Sequence, residues 1–109
     1  MSFSNTPKPP YYAVIFTASL TNNLNGYTQT VIKIRELAEL QKGFLGMEST
    51  GEQFEITVSY WETLEAIQNW KQQTDHLMAQ QMGKEKWYSK YKVRIAKVER
   101  DYGFETTHL

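Results

Sequence analysis

A chain of 109 residues, 40% apolar, 14% aromatic and 22% charged, suits one folded domain and is too apolar for a disordered segment. Twelve basic and twelve acidic side chains cancel, which removes the basic face that nucleic-acid binding leans on, and the lack of cysteine removes disulfides, thiolate metal sites and cysteine nucleophiles. No apolar run approaches the roughly 18 residues that span a bilayer, and "MSFSNTPKPP" lacks the basic and apolar regions of a secretory signal, so a cytoplasmic protein without membrane or nucleic-acid partners is expected.

Residues 1–10 hold all three prolines and read as an irregular leader. "YYAVIFTASL" (11–20) is β-branched and aromatic and predicts a strand. From Tyr27 to Gln41 the apolar positions Tyr27, Val31, Ile34 and Ala38 fall at helical spacing, and Gly43 follows as a stop. "FLGMEST" (44–50) and "FEITVSYW" (54–61) predict two strands joined through Gly51 as a hairpin. In the second, Phe54, Ile56, Val58 and Tyr60 share one face, and Glu55, Thr57, Ser59 and Trp61 the other. Thr63 suits an N-cap, with Glu65 in the first turn of a helix whose stripe runs Leu64, Ile67, Trp70, Thr74, Leu77 and Met78 to a stop at Gly83. An aromatic turn, "KEKWYSKY", leads to a last strand from about Tyr91 to Tyr102. A tail of residues 105–109 follows the domain at 11–104.

The order β-α-β-β-α-β is the ferredoxin-like pattern, an α+β fold with a four-stranded antiparallel sheet and two helices on one face. Strand one is apolar on both faces, Tyr12, Val14, Phe16 and Ala18 against Ala13 and Ile15. Two helices cover one face only. A second copy of the sheet is the expected cover for the other, giving a homodimer.

Few residues offer chemistry. Of two histidines, His108 sits in the tail, and His76 lines up with Asn69, Gln73 and Gln80 on the polar side of the second helix. A break at Asp75 would turn His76 inward, where it could move protons. With so few ligands no metal site is expected, and no dinucleotide or phosphate-loop motif appears. Glu99–Asp101 and the alternating Lys90, Lys92 and Arg94 read as solvated surface. Phe16, Tyr60 and Trp70 are expected to converge between sheet and second helix, with Ile34 opposite, as core or as the wall of a small-molecule pocket.

"KGFLGMES", "ITVSYWETLEAIQNWK" and "WYSKYKVRIAKVERDYGF" resemble the antibiotic biosynthesis monooxygenase domain family, over about Tyr11 to Phe104. The resemblance implies a dimeric α/β barrel of ferredoxin-like subunits. It also implies a monooxygenase acting on a small aromatic or quinone-like substrate without metal or flavin. Trp70, Tyr60, Phe16 and Ile34 would then bind the substrate, and His76 would be the proton-transfer candidate. A second branch of the family degrades haem. Trp70 matches its helix tryptophan, but that branch needs an asparagine on strand one and a histidine ten residues after the tryptophan, where this chain has Gln80. A non-catalytic dimeric module that binds a small metabolite is the third reading.

Overall fold

The computed structural model describes residues 3–81 and 86–106. Among the described residues the elements appear in the expected order: β1 (Tyr11–Leu20), α1 (Tyr27–Glu39), β2 (Phe44–Gly51), β3 (Phe54–Trp61), α2 (Leu64–Gln81) and β4 (Tyr88–Val98). The strands lie β2-β3-β1-β4, and every neighbouring pair is antiparallel. This is the ferredoxin-like α+β fold. Gly83 and His108 lie outside the described residues.

Local chemistry explains the boundaries. The last turn of α1 tightens, with the Leu40 and Gln41 N–H groups donating to Leu37 and Ala38 carbonyls three residues back. Gly43 then adopts φ 88°, and a Cβ there would stand 2.8 Å from that of Ala66 on α2. Glycine thus permits both the turn and the close approach of α2. Thr63 Oγ1 accepts the Ala66 N–H at 3.0 Å and caps α2. The last strand departs from expectation at both ends. It starts at Tyr88, which pairs with Leu20, and stops at Val98, which pairs with Tyr11. Beyond Val98 the partner would be Pro10, which has no N–H to donate.

The register fixes the faces. Tyr12, Val14, Phe16 and Ala18 of β1 stand beside Trp61, Ser59, Thr57 and Glu55 of β3. On the other flank Val14, Phe16 and Ala18 stand beside Ile95, Val93 and Tyr91 of β4. This is the side the helices cover. At one end Trp61, Trp70, Ile67, Ala66 and Ala38 form a buried cluster, with Tyr12, Val14, Ile34 and Phe44 against it. At the other end Trp87, Tyr88 and Ala18 form a second, with Phe16, Tyr27 and Met78 against it. The buried tryptophans keep their indole N–H groups satisfied: Trp61 donates to Ser59 Oγ at 2.8 Å and Trp87 to the Asn25 carbonyl at 2.9 Å.

The far side of the sheet carries Tyr11, Ala13, Ile15, Ile56, Val58 and Tyr60. Here the leader is tied down at one end of the sheet. The Ser4 N–H donates to Glu48 Oε2 at 2.8 Å, and Tyr60 donates to Glu48 Oε1 at 2.8 Å. Thr6 donates to the Tyr11 hydroxyl at 3.1 Å, and Tyr11 donates to Asp101 Oδ2 at 2.5 Å. The Tyr11 and Tyr60 rings meet edge to face at 5.9 Å. At the other end Phe54 and Ile56 stay exposed.

Candidate functional site

The structure does not bring the five expected site residues together. Phe16 and Trp70 both lie between sheet and helices, but in different clusters, and Ile34 packs with Trp70. Tyr60 corrects the expectation most sharply. It lies on the far side of the sheet, because Trp61, its neighbour on the strand, is the residue turned under the helices. Burial first, and then the bond to Glu48, push the Tyr60 phenol up to about 12, so it stays protonated there. Trp70 itself is core: its ring is 5.7 Å from that of Trp61, and it is 7% exposed. His76 is exposed, as are Asn69, Gln73 and Gln80. The helix is not broken beside it, since Asp75 pairs with Lys71 one turn back at 2.5 Å. His76 therefore does not turn inward.

What the helix-facing side does offer is a strip. Tyr91, Val93 and Ile95 of β4 point to that side but remain 39%, 47% and 54% exposed. The packing of α2 reaches β1 and β3 and leaves the middle of β4 accessible. Phe16 bounds the strip, its ring stacked on Tyr91 at 5.5 Å and edge-on to Tyr88 at 5.5 Å. Four apolar or aromatic side chains thus lie side by side along one strip, three of them accessible.

One acid stands next to this floor. Among the described strand residues Glu55 is the one carboxylate on the helix-facing side. Its Oε1 accepts the Tyr27 hydroxyl, and its Oε2 accepts the Thr57 hydroxyl at 2.8 Å. Thr57 sits directly across from Phe16. Burial, followed by the bond to Glu55, raises the Tyr27 phenol well above its ordinary value; burial and the charge of Glu55 do the same to Tyr88. Both hydroxyls stay protonated, and that of Tyr27 donates to Glu55. Sequence reasoning passed over Glu55. The signal was present in the polar row Glu55, Thr57, Ser59, which shares its face with Trp61.

Two cavities lie elsewhere and share none of the five expected residues. One, of about 570 Å³, sits between the end of β1 and the β2–β3 hairpin, near Leu20, Asn22 and Gln53. The other, of about 370 Å³, lies between Thr6–Pro9 of the leader and Glu99–Asp101. Among the described residues no three His, Asp or Glu side chains gather as a metal site would require, and no helix is long and apolar enough to cross a membrane.

The fold defines the class: a ferredoxin-like chain, of the architecture also seen in solved candidate antibiotic biosynthesis monooxygenases. A candidate antibiotic biosynthesis monooxygenase of Bordetella bronchiseptica aligns with 81% of this chain and 96% of its own at 16% identity, with a TM-score of 0.63. SnoaB, a cofactor-independent oxygenase from Streptomyces nogalater, aligns with 90% of this chain and 100% of its own at 7% identity and a TM-score of 0.64. A dimeric ferredoxin-like protein from an uncultured marine organism aligns with 89% of this chain and 95% of its own at 10% identity and a TM-score of 0.68. No family model matches the chain. The uncharacterised protein YqjZ of Bacillus subtilis (strain 168) is 46% identical over 104 residues, covering 94% of this chain and 91% of that protein, and the chain belongs to the same family as YqjZ.

Proposed function

We propose that this chain is a cofactor-independent monooxygenase that acts, as a homodimer, on a small, flat, electron-rich aromatic molecule such as a phenol fused to a second ring. The observation that carries this reading is the accessible strip of Phe16, Tyr91, Val93 and Ile95 on the helix-facing side of the sheet, with Glu55 at its edge. An apolar floor beside a single acid–base group is what such a reaction asks of a protein. A phenolate can itself reduce dioxygen, so the site has to orient it, assist a proton transfer and limit water. The balance closes without a further reductant: one oxygen atom becomes the new quinone carbonyl, and the other leaves as water with the two hydrogens lost from the substrate C–H and O–H. The fold shared with a cofactor-independent oxygenase supports the reading. The homodimer is supported by the exposed Phe54 and Ile56 on the far side of the sheet and by the dimeric neighbour of the same fold.

The test is oxygen uptake by the purified protein, without added metal or flavin, over a panel of dihydroxynaphthalenes and anthrones. At least one member is expected to consume oxygen above the buffer background and to yield its quinone. Val93→Asp, which places a charge on the strip, should abolish that uptake. A panel wholly at background, with ligands still bound, would turn the reading to a binding module. Haem chemistry gains no support from the arrangement, because the histidine nearest Trp70 on α2 faces solvent.

A further inference from the structure

The geometry points to Glu55, held by Tyr27 and Thr57, as the group that receives the hydroxyl proton of a phenolic ligand lying on the Phe16–Ile95 strip. This inference rests on the proposed reading of the strip and names the chemical group on the ligand that the site recognises.

The placement is specific. Thr57 stands across from Phe16, and its bond holds Oε2 on the Thr57 side of Glu55, along β3 toward the level of Phe16, where the strip begins. Tyr27, the first residue of α1, holds the other oxygen. Each carboxylate oxygen has a second lone pair, so two donors leave acceptor capacity for a third. Both donors belong to side chains that the surrounding structure fixes. The Tyr27 ring lies edge-on to Trp87 at 5.6 Å, and Thr57 sits in the centre of a paired strand. The carboxylate is therefore oriented before any ligand arrives. In the step itself the ligand O–H bond breaks and the proton passes to a Glu55 oxygen. The electron pair stays on the ligand oxygen as a phenolate, which dioxygen then oxidises.

A structural role predicts something different. If Glu55 only ties α1 to β3, its loss loosens the fold and weakens every ligand alike. Calorimetric titration with 1,5-dihydroxynaphthalene and with its dimethyl ether separates the two, because the ether has the same rings and no proton to give. Wild type is expected to bind the diol about tenfold more tightly than the ether, in keeping with a hydrogen bond to a charged acceptor. Glu55→Gln keeps the shape and removes the charge. It should cut that preference to under about threefold, leave the affinity for the ether unchanged, and slow oxygen uptake about 100-fold. Glu55→Asp keeps the charge one methylene further back. It should also lose the preference, and it serves if Glu55→Gln folds poorly. A diol preference that persists in both variants overturns the assignment of Glu55 while leaving the strip as the site. Equal weakening of both ligands overturns it in favour of the structural role. A wild type that binds neither ligand removes the strip reading and Glu55 with it.

Discussion

Trp61 and Trp70 fill one volume together, with the edge of Phe44 against the first ring at 5.3 Å. Trp70→Ala would leave that volume empty and should cost about 3–5 kcal/mol in chemical denaturation, whereas Trp70→Phe, which keeps an apolar ring, should cost well under half as much. The tyrosines give a second prediction. Tyr11, Tyr27, Tyr60 and Tyr88 all titrate above the ordinary 10.0 in the folded chain, each mainly through burial. A group raised on folding keeps its proton when the unfolded chain has lost it. Its contribution is complete below pH 10 and is lost as pH rises through the folded value. Melting temperature should therefore hold to about pH 10 and fall between 10 and 12, and Tyr60→Phe should flatten part of that fall; a flat profile would contradict the placement of these hydroxyls. At this scale the sequence separates the faces without assigning them. Alternation along "FEITVSYW" separated its two faces. It does not say which face the helices cover, and the expectation that Tyr60 lies under the second helix fails for that reason. The helices in fact cover Glu55, Thr57, Ser59 and Trp61, and there Trp61, the largest side chain of the strand, is buried against Trp70 and Phe44.

The elements were far more legible than the faces. Strands and helices follow apolar periodicity, and caps follow single residues. Gly43 and Thr63 together set the entry of α2, one by admitting φ 88° beside Ala66 and one by taking the Ala66 N–H. Thr63→Ala should cost about 1 kcal/mol in urea unfolding. Gly43→Ala should cost more, about 1–3 kcal/mol, since it adds backbone strain to a clash with α2; a neutral Gly43→Ala would contradict the close approach described. Two features were hidden for physical reasons. The end of β4 falls where its partner would be Pro10, just ahead of β1 and without an N–H, which no local pattern in residues 91–102 reveals. The leader reads as irregular, yet Ser4 and Thr6 bond to side chains some distance along the chain or across the sheet, contacts that only the folded sheet creates.

At the scale of the whole molecule the two sides of the sheet divide the labour. The far side is closed at one end by the leader and open at the other through Phe54 and Ile56. If a second copy covers it, light scattering should give twice the chain mass of 12.8 kDa at micromolar concentration, and Phe54→Lys with Ile56→Lys should shift that toward the single chain. The helix-facing side holds the strip, and its use as a ligand floor is the central claim. The direct measurement is backbone and methyl NMR during titration with 1,5-dihydroxynaphthalene. Shifts concentrated at Phe16, Thr57, Tyr91, Val93 and Ile95 are the predicted result. Shifts at Tyr60, Ile56 and Phe54 on the far side, with the strip unmoved, would contradict it.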